Sequence, residues 1–483
     1  MIHYKAIGKI MGALLMLLSL LMLPGVGFSF YYGSGDHYPL IISAAASLFV
    51  GAVLFFSFAK QDKNIRKREG YLIVSTSWLL MSFFGMLPYI LSGTTTTISD
   101  AIFETVSGLT TTGASILTDV ESVPNGILFW RSMTHWIGGL GIIVLTVAIF
   151  PLLGIGGIEL FVAESPGPTS DKLHPRIRET AKRLWYIYLG LTVALVILFD
   201  IGGMTFFDAI NHSMATMATG GFSTKNSSLA YFNSAFIDYT TIFFMFLAGT
   251  NFTVIYFGLT GKFDRVWRSD EFKAYAGTIL AFTFFLTVPI YFYSGHELEK
   301  AFRDTLFQVV SLITTTGFIT ADYTQYSSGL TLVFFMLLFL GASAGSTAGG
   351  IKFVRHLTFF KNSWLEFKRI VHPRAVVPLK INGDRVTGKI ITHIMNFLLI
   401  YLMIFVTGSV IISLMGYDIL TSFGAVATCL GNVGPGIGMV GPVNNFAFFD
   451  PFSKIFLSFL MLLGRLELFT ILVLFTPYFW RAN

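Results

Sequence analysis

Four stretches of sixteen residues in this chain align with one another without a gap. They read DAIFETVSGLTTTGAS (100–115), DAINHSMATMATGGFS (208–223), DTLFQVVSLITTTGFI (304–319) and TSFGAVATCLGNVGPG (421–436). Asp100, Asp208 and Asp304 open three of them. Gly113, Gly221, Gly317 and Gly434 fall thirteen residues after the opening position, and a small residue (Ser107, Ala215, Ser311, Thr428) recurs seven positions in. Internal repetition constrains a fold more than any single motif, because each copy is one structural unit that needs its neighbours to bury its apolar face.

The surroundings of the repeats say which solvent they fold in. Apolar runs of membrane-spanning length fall near 8–32, 39–59, 70–92, 127–151, 183–203, 235–261, 273–295, 328–358, 388–416 and 452–480. Only 12% of the residues are charged, where soluble proteins carry about 25%. The chain is therefore a polytopic protein of the lipid bilayer. With the N-terminus in the cytoplasm and sides alternating, 26 of the 32 Lys and Arg fall inside, collecting in 60–68, 172–183, 262–273 and 352–389. Arg131, Lys225, Lys300, Arg303 and Lys454 fall outside, and Arg465 within a span. That bias fixes both termini in the cytoplasm. It also removes a nucleic-acid partner as the explanation of the net charge of +6, since the charge follows topology. The N-terminal run after Lys5 and Lys9 resembles a signal peptide without a cleavage site and is expected to stay as an anchor helix. Cys429, the single cysteine, excludes an intramolecular disulfide. No Cys/His cluster has metal-ligand spacing and H-E-x-x-H does not occur, so the chain is not expected to be an enzyme.

All four repeats follow a span on the outer side. The first half of each is too short to cross a bilayer at about 1.5 Å per residue and suits a half-membrane helix, with Asp at its N-terminus. The second half is Gly/Thr-rich and irregular, a backbone tolerated at membrane depth only where it is buried in protein or lines water. The expected fold class is an all-α polytopic membrane protein: two N-terminal spans (1–69), then four parallel span–pore helix–filter–span repeats (70–182, 183–272, 273–387 and 388–483) around a central pore of approximate fourfold symmetry. The filters lie at 110–114, 218–222, 314–318 and 431–435.

A dehydrated monovalent cation needs oxygen dipoles in place of its water, and an extended loop supplies them as backbone carbonyls. Glycine permits the required dihedrals and threonine stiffens the strand. The candidate filter residues are Thr111, Thr112 and Gly113; Thr219, Gly220 and Gly221; Thr315, Thr316 and Gly317; and Asn432, Val433 and Gly434. No carboxylate lies in the four filter loops, against a divalent-cation filter. Asp100, Glu104, Asp119, Glu121, Asp322, Asp418 and Asp450 are placed to enrich cations at the mouth. A single TTTG is explained as well by small-residue helix packing; four gapless copies on one side of the membrane are not.

A second candidate site lies inside the eighth span. Residues 341–350 hold only Gly, Ala, Ser and Thr, with Gly341, Gly345, Gly349 and Gly350 among them. Each glycine costs roughly 1 kcal/mol in a helix relative to alanine, so the helix should break there. One reading is a close-packing GxxxG face. The other is an unwound loop beneath the filter that obstructs the cavity and can move, Ser346 and Thr347 included. Arg465, in the middle of the last span, must face protein or water. It has donors to hold the loop's carbonyls, unless a structural carboxylate takes it. Glu467 lies on another helix face. His135 and Trp136 sit near the outer end of a span, where Trp136 suits an interfacial anchor and no proton relay is expected of His135.

These filters, together with HWIGGLGIIVLTVAIFP (135–151), GASAGSTAGGIK (341–352) and GRLELFTILVLFTP (464–477), resemble the TrkH family, the membrane-spanning subunits of bacterial Trk potassium uptake systems in the wider Trk/Ktr/HKT superfamily. The resemblance covers nearly the whole chain. It implies a potassium-selective channel or uptake subunit of the bacterial inner membrane, with K⁺ held by filter carbonyls and Gly113 favouring potassium over sodium. It also implies that 341–350 with Arg465 is a gate, that the protein is a homodimer, and that a cytosolic TrkA-like nucleotide-binding ring controls it. No bound organic cofactor is expected, and without a G-x-x-x-x-G-K-[ST] stretch any ATP or NAD effect must act through that partner. The fourth filter, with NVGPG in place of threonines, departs most and is expected to supply fewer carbonyl ligands. An Na⁺- or H⁺-coupled symporter remains the alternative; such folds usually show inverted repeats.

Overall fold

The computed structural model describes residues 3–58, 67–149 and 177–481, and these are overwhelmingly helical. The basic stretches expected at 60–68 and 172–183, and the end of the 135–151 motif, fall largely outside the described residues. Among the described residues, six helices are long and apolar enough to cross a membrane: Tyr4–Tyr32, His37–Ser57, Arg68–Leu91, Lys182–Ile201, Asp270–Ser294 and Gly388–Leu414. The first two form a hairpin, and Gly12 and Gly51 let their backbones touch, since a methyl group on Gly12 would lie 2.6 Å from the Gly51 carbonyl oxygen.

The second span of each expected repeat is interrupted, where the sequence pointed to one interruption. In the helix Asn125–Ile149 a kink falls at Gly141 (φ 67°, ψ 158°). Ala235–Ala248 and Phe252–Leu259 meet at 110°, and Pro451–Arg465 meets the helical segment that follows it at 107°. Between Ser328–Leu337 and Phe353–Val371 the helix is lost altogether over 338–352.

Four shorter helices complete the frame: Ile98–Leu109, Phe206–Met217, Leu298–Ile313 and Ile419–Gly431. The aspartates that open the aligned segments do not cap them. Thr97 and Thr205 are the N-caps, and Asp100 and Asp208 return a hydrogen bond from the third helical position, accepting from the threonine hydroxyls at 2.7 and 2.9 Å. The arrangement is related to a capping box, but Asp stands in the Glu position and bonds the threonine hydroxyl rather than the N-cap backbone N–H. Asp304 lies well inside the third short helix, which begins at Leu298. A further departure from an all-α reading is a two-residue antiparallel hairpin, Lys380–Ile381 with Asp384–Arg385. It turns on Asn382 and Gly383, both at positive φ, the Asn-Gly signature of a tight hairpin turn. Asp270 anchors it, accepting from the Asn382 backbone at 3.1 Å and from Lys361 at 2.8 Å.

Candidate functional site: a ring of four loops and the segment beneath it

Each short helix ends in the same way. The residue after the last turn is left-handed (Thr111 φ 53°, Thr219 φ 55°, Thr315 φ 55°, Asn432 φ 53°). The next amide donates back to the small residue seven positions into the segment: Thr112 to Ser107 (2.9 Å), Gly220 to Ala215 (2.8 Å), Thr316 to Ser311 (2.8 Å) and Val433 to Thr428 (3.0 Å). These are Schellman closures in which a threonine or asparagine occupies the position glycine usually takes. The closure consumes a helix carbonyl and turns the chain so that the following residues run out of the helix.

The glycine comes next, and it completes a ring. Gly113, Gly221 and Gly317 have φ of 79°, 78° and 79°, and Gly434 has 100°. A methyl group on Gly113 would strike the carbonyl oxygen of Gly220; on Gly221, that of Thr316; on Gly317, that of Val433. On Gly434 it would lie 2.8 Å from the carbonyl oxygen of Thr112, which returns the series to its start. Four loops from distant parts of the chain thus abut in cyclic order, with their backbones too close for any side chain. Thr111, Thr112, Thr219, Thr315, Thr316, Asn432 and Val433 are fully buried. Hydroxyl pairs stiffen the first and third loops, Thr110 with Thr112 at 2.8 Å and Thr314 with Thr316 at 2.7 Å. In the fourth loop, Asn432 instead donates to Thr112 Oγ1 (3.0 Å) and the Met461 carbonyl (2.9 Å). Its backbone follows the threonine loops despite the different side chains.

The 338–352 segment lies directly against this ring. Its ends are tied together, Gly341 N to Ile351 O at 3.0 Å and Phe353 N to Ala342 O at 2.9 Å, with Gly345 and Gly350 at positive φ. Ser346 bonds back within the turn, to Ser343 O at 2.6 Å. Thr347 donates to the carbonyls of Met217, at the end of the second short helix, and Ala248, at 3.0 and 3.1 Å. Gly349 N donates to Thr315 Oγ1 at 2.7 Å. A methyl group on Gly349 would lie 2.6 Å from Asn432 Cβ, so this glycine also permits close contact with the fourth loop. The break at 249–251 docks here too: Ser343 N donates to Gly249 O (3.0 Å) and Phe252 N to Gly345 O (3.1 Å). Arg465 binds three carbonyls, those of Thr347 (2.8 Å), Gly139 (3.1 Å) and Gly138. It therefore joins the segment to the kinked helix of the first quarter. Glu467 pairs with the buried Arg355.

One side chain that holds the segment was not legible in the sequence. Glu271, on the first turn of Asp270–Ser294, accepts from Ala344 N (2.8 Å) and Val354 N (3.1 Å) with one oxygen, so it clasps both sides of the segment. His135, placed by the sequence near the outer end of a span, is fully buried and stacks on Phe222 with ring centroids 3.9 Å apart. Trp136, expected as an interfacial anchor, stacks on Tyr188 and donates to Thr192. Two of the expected mouth acids are also elsewhere. Glu104 is fully buried against Arg131, and Asp100 is held by Lys454 at 2.6 Å. Charges at these depths are costly unless paired, which is why both found partners rather than water. Asp119 and Glu121 are exposed, and Asn226 donates to Asp119 at 2.9 Å, holding its carboxyl below the usual carboxylate range.

Helices of spanning length around a ring of buried, backbone-lined loops define a membrane transport protein. The family model for TrkH, described as a cation transport protein, matches residues 39–294 and 278–481. The chain is 40% identical to the Trk system potassium uptake protein TrkH of Salmonella typhimurium, over 99% of this chain and 100% of that one. It is 35% identical to the Trk system potassium uptake protein TrkG of Escherichia coli, over 99% of each. The crystal structure of the potassium transporter TrkH from Vibrio parahaemolyticus superposes with a TM-score of 0.89 at 36% identity, covering 99% of this chain and 100% of that one. The chain belongs to the TrkH family of cation transport proteins, and that family consists of transporters rather than enzymes.

Proposed function

We propose that this protein is a potassium-conducting uptake subunit of the bacterial inner membrane. Four parallel span–pore helix–filter–span repeats (70–182, 183–272, 273–387, 388–483), following a two-span unit (1–69), surround one pore. The observation that carries the reading is the cyclic contact of Gly113, Gly221, Gly317 and Gly434 with the carbonyls of Gly220, Thr316, Val433 and Thr112. It brings four sets of backbone oxygens to one place. The short helices direct their C-terminal, negative ends toward that place, which favours a cation. The filter is formed by Thr111–Gly113, Thr219–Gly221, Thr315–Gly317 and Asn432–Gly434, with K⁺ as the transported ion.

The 341–350 segment, with Gly341, Gly345, Ser346, Thr347, Gly349, Gly350 and Arg465, is the gate in this reading. Its contacts with Met217 and Thr315 support that role, since a segment bonded to the base of two filter loops lies in the ion's path. The relatives, potassium uptake proteins of a Trk system, support potassium as the cargo and a multi-component assembly. We assign the protein, on this basis, to a homodimer controlled by a cytosolic TrkA-like nucleotide-binding subunit, with both termini cytoplasmic. Tracer potassium flux into liposomes at a fixed membrane potential tests the proposal. Flux that persists without sodium or proton gradients is the expected result. Flux that requires either gradient replaces the channel reading with coupled symport.

A further inference from the structure

An ion pair withdrawn from water gains little over a well-packed apolar pair, so a buried one calls for a second explanation. Glu104 and Arg131 form such a pair: Arg131 Nε lies 2.6 Å from Glu104 Oε1, with side-chain exposures of 4% and 0%. Their remaining bonds all go to the chain just beyond two of the filter loops. Glu104 accepts from Ser115 Oγ (3.0 and 3.1 Å) and Ile116 N (3.0 Å), two and three residues past Gly113. Arg131 Nη1 donates to Ser223 O at 2.9 Å, two residues past Gly221. Its guanidinium carbon stands 3.5 Å from the centroid of the Phe222 ring.

We propose that Glu104 and Arg131 are positioning residues for ion selection. They clamp the outer limbs of the first and second filter loops to each other, so that the carbonyls of Gly113 and Gly221 cannot close around a smaller cation. The proposal rests on the reading of 110–114 and 218–222 as filter. The corresponding positions in the other short helices show how uneven this bracing is. His212 reaches the same limb position in its own repeat, Nε2 to Ser223 Oγ at 2.8 Å. Gln308 is buried with neither side-chain amide atom hydrogen bonded, and Ala425 has no polar atom to offer. The ionic brace therefore belongs to one seam of the ring. Stiffness there comes from a planar fork that bonds a carboxylate and a carbonyl and lies on an aromatic face at once, which a lysine cannot do.

The test uses full-length protein in liposomes, with reversal potentials read under bi-ionic potassium/sodium conditions. Glu104→Gln and Arg131→Lys should each lower the potassium-over-sodium permeability ratio by about tenfold, a change within the range that contact networks carry between sites. Ser115→Ala, which removes one donor to Glu104, should lower it less and in the same direction. Gly113→Ser separates the clamp from the filter. If Gly113→Ser lowers the ratio while the folded clamp variants leave it unchanged, the clamp is overturned and the filter stands. If no variant changes the ratio, the filter reading falls and the clamp with it. Should the pair variants fail to fold, Ser115→Ala decides alone: an unchanged ratio overturns the clamp.

Discussion

Two neighbouring parts of this molecule are built from the same small residues and held in opposite ways. The ring loops are fixed by their own helices. Each is closed by a hydrogen bond spanning five residues, repeated four times. The 338–352 segment closes on itself at its two ends and in the Ser343–Ser346 turn, and otherwise depends on remote groups: Glu271, Gly249, Ala248, Met217, Thr315 and Arg465. A backbone shaped by local bonds keeps its shape when the surroundings shift. One shaped by borrowed bonds moves with its lenders. The comparison explains how the proposed selector and the proposed gate can share a composition.

The largest effect should follow from disturbing the locally fixed part. In Gly113→Ser the side chain must accept a left-handed backbone, at about 1–2 kcal/mol, and must also displace the Gly220 carbonyl, at about 1–3 kcal/mol. The potassium-over-sodium ratio from bi-ionic reversal potentials should fall roughly a hundredfold, given about 1.4 kcal/mol per tenfold. An unchanged ratio would remove this glycine from the selector. Next comes Arg465→Ala, which strips charge-assisted bonds of about 1.5–3 kcal/mol from the segment and should raise basal flux roughly tenfold or more, with the ion ratio untouched. Deleting several residues of 341–350 should act in the same direction. Combining the two should give no more than the larger effect, as for groups in direct contact; multiplicative effects would separate Arg465 from the segment. A deletion that abolishes flux in folded, inserted protein would return the segment to a packing role.

Glu271→Gln should be milder, because the amide oxygen still accepts but without charge. A loss of about 1 kcal/mol corresponds to a roughly fivefold rise in basal flux, and no rise would mean the clasp is not part of the obstruction. The smallest effect belongs to the outer surface. Asp119 has its carboxyl held below its ordinary value of 3.8 by Asn226. The stabilisation is complete above that value and fades as pH falls through the lower folded-state value. Asn226→Ala should remove this slope from thermal unfolding measured between neutral and acid pH, leaving flux and ion ratio as they were. A slope that survives would assign it to other carboxylates.

The same contrast decides what the sequence made legible. The four short helices and the loops after them were readable because the bonds that shape them lie within sixteen aligned residues. The loss of helix at 341–350 was readable because its glycines act locally. Glu271 was not, since it meets Ala344 and Val354 from more than seventy residues away. The breaks at Gly141 and at 249–251 were missed because one to three residues interrupt an otherwise apolar run. Asn251, whose side chain caps the following helix by accepting from Thr253 N at 2.8 Å, was the available signal. Glu104 and Asp100 were misplaced for another reason: a polar side chain near a span end looks the same in sequence whether it meets water or a partner.

The cyclic contacts also bear on how the protein is made. The ring closes only when Gly434 meets Thr112 and Asn432 bonds Thr112 across 320 residues of chain. Until the last quarter leaves the ribosome, three quarters stand in the bilayer with an open seam. Their loop backbones then lack the neighbours that exclude lipid, and unsatisfied peptide groups in hydrocarbon cost several kcal/mol each. The nascent chain must therefore be sheltered, by the insertion machinery or by water held in the seam, for as long as synthesis of the final quarter takes. The ring is completed by the last segment of the chain rather than the first.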